Sequence, residues 1–176
     1  MAKQLKVVVF DLDACVWYPE MYMLWGGGQP FKKHETKKNV LVDWKHQEIK
    51  LLGESAAVWQ QIKSDPRFSG VKLCVASRCD EPSWAEECLS KFTDQGGETP
   101  LLSHVDVSRI HKGSKTTHLQ EIHLATGADF KDMLFFDDDP TNIEDVGGLG
   151  VTSILTPDGV TAEAWRSGLA AFGMEP

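Results

Sequence analysis

Asp11 and Asp13 stand at the carboxyl end of a strongly apolar run, Leu5-Lys6-Val7-Val8-Val9-Phe10, with only Leu12 between them. A run rich in Val and Phe reads as a buried parallel strand. The carboxyl ends of such strands are where open α/β sheets bind ligands. Two like charges this close repel each other. A bound cation, a shared proton or divided roles as nucleophile and acid would relieve that repulsion. The competing reading is a turn, since Asp is common at strand ends.

Three further segments carry matching chemistry. Val75-Ala76-Ser77-Arg78 brings a hydroxyl and unpaired backbone N–H groups to a second strand end. Gly113-Ser114-Lys115 sets a cation at a helix start, where the positive end of the dipole also favours a phosphate. Phe135-Phe136-Asp137-Asp138 ends another apolar run, with Asn142 one helical turn on. A site rich in carboxylates and free of Cys–His pairs suits Mg²⁺. The hydroxyl, the lysine and the N–H groups suit phosphate, and a carboxylate nucleophile between them suggests an aspartyl-phosphate intermediate. Each piece has a plainer reading: Ser77 as a turn residue, Lys115 as a solvated helix residue, Asp137 to Asp139 as an N-cap cluster. The order of all four at strand and helix ends favours the site.

The elements that must position these groups alternate. Helical patterns cover 53–63, 82–92, 114–125, 140–146 and 161–171, and strand patterns cover 71–76, 101–107, 133–136 and 151–155. Strands alternating with helices predict an α/β fold, a Rossmann-like three-layer α/β/α sandwich around a central parallel sheet. The stretch 15–42 lacks a helical period and is punctuated by Gly26-Gly27-Gly28 and Pro30, so it reads as loops or a hairpin. Its Trp17, Tyr18, Tyr22 and Trp25 either line a pocket, where they could stack on an aryl or sugar ring, or pack the loop down. The chain of 176 residues fits one domain, 1–176, with 16–42 as a flap and 173–176 as a frayed tail.

Composition narrows the partners. With 41% hydrophobic and 25% charged residues the chain is ordinary for a soluble globular protein. A net charge of −8 argues against wrapping nucleic acid or docking on an anionic membrane. No apolar run approaches the ~20 residues of a membrane span, and the polar start lacks a signal-peptide core, so the expected compartment is the cytoplasm. Cys15, Cys74, Cys79 and Cys88 show no CxxC spacing and read as reduced thiols. The six histidines form no HxxxH pair, which disfavours zinc. Exposed loop aromatics permit a dimer without demanding one.

The four segments together resemble the haloacid dehalogenase superfamily of phosphohydrolases. Phe10-Asp11-Leu12-Asp13 matches its first motif, Ser77 the second, Lys115 the third and Phe136-Asp137-Asp138 the fourth. More narrowly, residues 11–17, Ala76-Ser77-Arg78, Gly113-Ser114-Lys115, Asn142-Ile143 and Leu149-Gly150-Val151-Thr152 are similar to the eukaryotic magnesium-dependent phosphatases, a capless branch. The resemblance implies Asp11 as nucleophile and Asp13 as acid and base. It implies Mg²⁺ held by Asp11, the Asp13 carbonyl and Asp138, with Asp137 and Asn142 acting through water. Leu12, Ser77, Arg78 and Lys115 would bind the phosphate. The expected substrate is a phosphorylated small molecule or a phosphoprotein, with phosphotyrosine, other aryl phosphates and sugar phosphates as the classes.

Two features depart from the superfamily. Cys15 stands where the first motif commonly has Thr, so it reads either as a packed thiol or as a near-surface redox handle. The 63 residues between Asp13 and Ser77 leave room for a flap but for no bulky cap. Other readings stay open: a dehalogenase, which shares the nucleophile but does not need Asp13; a receiver-like phospho-binding module; and a degenerate scaffold.

Overall fold

A computed structural model describes residues 3–176. The apolar run after Leu5 forms strand β1 (Val7–Phe10), every residue of which is buried. A small antiparallel sheet follows, built from β2 (Trp17–Tyr18), β3 (Lys32–Lys33), β4 (Val40–Val42) and β5 (Glu48–Leu51). The chain then alternates through α1 (Ser55–Ser64), β6 (Lys72–Ser77), α2 (Pro82–Lys91), β7 (Val107–Ile110), α3 (Lys115–Thr126), β8 (Met133–Asp137), α4 (Pro140–Gly147), β9 (Thr152–Leu155) and α5 (Ala162–Ala170).

The main sheet is parallel throughout, in the order β7-β6-β1-β8-β9. Because β1 is central, both of its faces must be covered. Val8 and Phe10 join Val58, Trp59 and Ile62 of α1 and Trp165 and Leu169 of α5 in one apolar layer. Val7 and Val9 join Leu119 and Ile122 of α3 and Val146 of α4 in the other. The period-2 alternation of a strand thus produces the three-layer α/β/α sandwich predicted from the pattern. From β1 the chain crosses to β6 on one side, and it returns to β8 on the other. The strand order therefore reverses beside β1, the place where open sheets of this kind bind ligands.

Three expectations need correction. The segment 101–107 is not a strand: Pro100 opens a 3₁₀ turn over Leu101–His104, and pairing begins only at Val107. β7 is an edge strand of partly exposed residues, so it carries no apolar run to announce it. The flap is an ordered sheet that runs on to Leu51, nine residues past the expected end. Its strands of two to four residues are too short for their alternation to be read. The terminal residues are tethered as well, since Arg67 Nη1 donates to the Glu175 carbonyl at 2.9 Å and to the Pro176 carbonyl at 3.3 Å.

The flap is tied to the core at several points. Phe31, Leu41 and Ile49 are buried in the α1/α5 layer. The Asn39 side chain donates to the Thr93 carbonyl at 2.9 Å and accepts from Thr93 N at 3.1 Å. Buried Asp43 closes the β4–β5 turn by accepting from Gly28 N, Lys45 N and Gln47 N at 2.8–2.9 Å.

Candidate active site

The site is built from the carboxyl ends of β1, β6 and β8 and the first turn of α3. Beyond Phe10, Asp11 N still donates to the Phe136 carbonyl at 3.0 Å, so the nucleophile candidate sits on the last rung of sheet pairing. The chain then turns sharply. The Leu12 carbonyl accepts from Cys15 N at 3.1 Å and Val16 N at 2.7 Å, and Ala14 takes a left-handed φ of 63°. Leu12 between the two carboxylates is completely buried.

The turn delivers Asp13 into the same cleft as Asp11. One Asp13 oxygen accepts from the Trp17 indole N–H at 2.8 Å and the other from Met21 N at 3.2 Å. Burial pushes the Asp13 carboxyl up to about 6, although these two donors pull it down.

Lys115 reaches the centre of the site from the start of α3. Ser114 caps that helix by accepting from Thr117 N at 3.1 Å, which fixes the first turn. Lys115 is almost fully buried. It donates to Asp11 Oδ1 and to the Ala76 carbonyl, and it lies 3.1 Å from Asp137 Oδ2. Burial alone would lower the ammonium, but Asp11 and Asp137 outweigh it and keep Lys115 charged. Asp11 is raised well above the usual carboxylate range, first by burial; Lys115 opposes this and Asp137 adds to it.

Asp137 is wholly buried. Asn142 Nδ2 donates to both of its oxygens at 3.1 Å, and Asp139 N donates to one at 2.8 Å. Asp139 itself caps α4 through Thr141 N at 2.8 Å, so the cap role read for the whole acidic cluster belongs to this residue. Asp138 is half-exposed, and its carboxyl is raised by burial and by Asp137.

Oxygens of Asp11, Asp137 and Asp138 lie within 4.8 Å of one another. An all-oxygen set of this kind fits a hard divalent cation such as Mg²⁺ and not zinc. The Asp13 carboxylate is outside that group, and its two oxygens accept from Trp17 and Met21 instead. Ser77, at the end of β6, accepts from Cys79 N at 3.2 Å and lines the cleft. Arg78 is half-exposed at the rim, 3.8 Å from Asp139.

The cleft encloses about 230 Å³, and all the candidate side chains except buried Asp137 and Leu12 line it. The sequence reading missed the lining residues Glu20, Cys79 and Asp80. Only proximity in the chain to the first motif, for Glu20, or to Ser77 and Arg78, for the other two, could have flagged them. Of the four loop aromatics, Tyr22 alone lines the cleft, with Tyr18 and Trp25 exposed away from it. Trp17 is not a stacking surface, since its ring is fully buried. Cys15 is no surface handle: it too is fully buried, 3.3 Å from the Thr156 hydroxyl, and burial raises its thiol far above the usual range.

The sequence model of a family described as Acid Phosphatase matches residues 3–175. The chain belongs to that family. A HAD-like hydrolase superfamily protein of Schizosaccharomyces pombe is 34% identical over 149 residues, covering 84% of this chain and 83% of the relative. Human magnesium-dependent phosphatase 1 is 32% identical over 172 residues, covering 98% of this chain and 89% of the relative. Solved structures place this acid phosphatase family member on the haloacid dehalogenase fold. The N-terminal, phosphatase-domain part of a Bacteroides fragilis protein, solved with Mg, superposes with a TM-score of 0.64 at 20% identity. That match covers 99% of this chain and 41% of the solved one, so this chain spans less than half of that protein. CbbY of Rhodobacter sphaeroides, solved with phosphate, gives 0.59 at 14% identity, covering 97% of this chain and all of the other.

Proposed function

We propose that this protein is a magnesium-dependent phosphomonoester hydrolase that works through an aspartyl phosphate on Asp11. The observation that carries the reading is the meeting of Asp11, Asp13, Ser77, Lys115 and Asp138 in one cleft at the reversal point of the sheet. Asp11, Asp138 and the Asp13 carbonyl would hold Mg²⁺, with Asp137 and Asn142 behind them; the ion supplies charge neutralisation at the phosphoryl group.

In the first half-reaction an Asp11 oxygen bonds to phosphorus. The bond to the leaving oxygen breaks, and that oxygen keeps the electron pair and takes a proton from Asp13. In the second, Asp13 takes a proton from water as the water oxygen bonds to phosphorus, and the Asp11–phosphorus bond breaks to release phosphate. A carboxyl poised near 6 can hold the proton in one half and accept it in the other. Lys115, the Ser77 hydroxyl and the backbone N–H groups of Leu12 and Arg78 would carry the phosphoryl oxygens. Phosphoryl transfer needs chiefly this positioning and charge stabilisation.

The whole chain acts as one domain in this account, with the β2–β5 sheet as its flap. An open cleft with exposed Tyr22 at its rim suits aryl phosphates, including phosphotyrosine, and sugar phosphates. Asp13 beside Asp11 in the cleft favours a phosphatase over a dehalogenase, whose halide leaving group needs no proton. The test is hydrolysis of an aryl phosphate with Mg²⁺, with EDTA and by Asp11→Asn. Activity lost in both controls supports the reading, and activity that survives both overturns it.

A further inference from the structure

The flap grips Asp13 through a residue that the reaction as written does not use. Trp17 Nε1 donates to Asp13 Oδ1 at 2.8 Å, while Met21 N holds Oδ2 at 3.2 Å. The indole cannot drift. Its ring is fully buried and stacked on Phe92 at 5.9 Å, and its backbone pairs with Leu51 of β5. The Trp17 carbonyl also accepts from Ala14 N at 2.8 Å, which fixes the turn that carries Asp13. Burial alone does not explain the bond, because the equally buried Trp59 leaves its Nε1 without a partner. The fixed indole therefore sets the rotamer of the carboxylate, and the carboxylate does not set the indole.

We propose that Trp17 is a positioning residue for acid–base chemistry: its indole N–H holds the Asp13 carboxyl aimed at the leaving oxygen. The proposal rests on the reading of Asp13 as general acid. Each Asp13 oxygen uses one lone pair on a flap donor and keeps its remaining valence for the substrate or the water. Without the N–H, the carboxyl gains a rotational freedom that must be lost again in the transition state.

The test separates orientation of the acid from mere support of the fold. 4-Nitrophenolate departs without a proton, whereas an alkoxide such as 2-phenylethanolate needs one. Trp17 is replaced by Phe and, in a second variant that keeps the bicyclic shape, by 3-benzothienylalanine, in which sulfur stands for N–H. The measured quantity is kcat/KM, which covers the steps up to loss of the alcohol.

Both variants are expected to lose about 10- to 100-fold on 2-phenylethyl phosphate and less than about threefold on 4-nitrophenyl phosphate, part of the ~10²–10⁴ that general acid–base help supplies. Asp13→Asn should show the same selectivity more strongly, and adding Trp17→Phe to it should produce no further selective loss. Equal losses on both substrates, or none on either, in the benzothienylalanine variant would overturn the positioning role while leaving Asp13 as the acid. An Asp13→Asn enzyme that does not discriminate between leaving groups would overturn the acid assignment itself.

Discussion

One ammonium, Lys115, answers for two buried carboxylates, and this economy shapes the site. Asp11 and Asp137 both draw on it, so the three acids gathered beside it leave an excess of negative charge that a divalent cation would balance. Elsewhere a single carboxylate does the organising. Asp132 receives Gln4 N at 3.0 Å, Lys131 Nζ at 2.9 Å and Lys6 Nζ at 3.2 Å, which together pin the entry to β1. Burial would raise its carboxyl, but these donors prevail and hold it at about 2. A depressed folded value contributes stability that is present above the unfolded value near 3.8 and is lost as pH falls through about 2. Asp132→Asn should therefore lose about 1–2 kcal/mol at pH 7, the lysines being partly solvated, and should lose less than the parent does between pH 4 and 2. Urea melts across pH check both parts. A constant difference down to pH 2 would contradict the assignment.

At the scale of elements, the segment between β2 and β3 and the strand β2 bear directly on the cleft: Glu20 and Tyr22 line it, and the Trp17 indole and the Met21 N–H hold Asp13. Its seat on α2 depends on Gly28, where φ is 101° and an added Cβ would stand 2.2 Å from the Trp84 ring. Gly28→Ala should loosen β2–β5 while the parallel sheet stays intact, and hydrogen exchange should read this as faster exchange confined to the residues numbered 17–51. Unchanged exchange there would mean that the flap is held elsewhere. The motifs were legible because each lies within a few residues at one strand or helix end: Asp11, Ser77, Lys115 and Asp137 follow directly from apolar runs or a capped helix start. The flap was not legible, since its pairing is antiparallel and set by partners such as Asp43 and Gly28, fifteen residues apart. The Trp17–Asp13 bond lies only four residues apart, yet it depends on a left-handed turn at Ala14 that no local pattern announces.

For the whole molecule, the consequence of the acidic pocket is a link between folding and the cation. A ligand that binds only the folded state stabilises it by about 2.7 kcal/mol at a hundredfold excess over Kd. For a chain of this length that corresponds to roughly 5–10 °C in Tm. Mg²⁺ should raise Tm by this order, EDTA should reverse it, and Asp138→Asn should remove most of the response while leaving the metal-free Tm close to the parent's. An equal rise in the Asp138→Asn protein would place the ion elsewhere. The central strands of the parallel sheet were readable from their apolar runs, because they are buried on both faces; of the two partly exposed edge strands, β9 was read from 151–155 and β7 was misplaced.

Passage of the phosphoryl group through Asp11 is tested by an acid quench, within milliseconds, of the enzyme mixed with Mg²⁺ and a ³²P-labelled aryl phosphate, followed by peptide mapping of the label. An acid-stable, hydroxylamine-labile phosphoryl group is expected on the peptide that contains Asp11, formed and lost at rates that match turnover and absent from Asp11→Asn. Full turnover with no labelled enzyme under any quench time, or label on a different peptide, would contradict it.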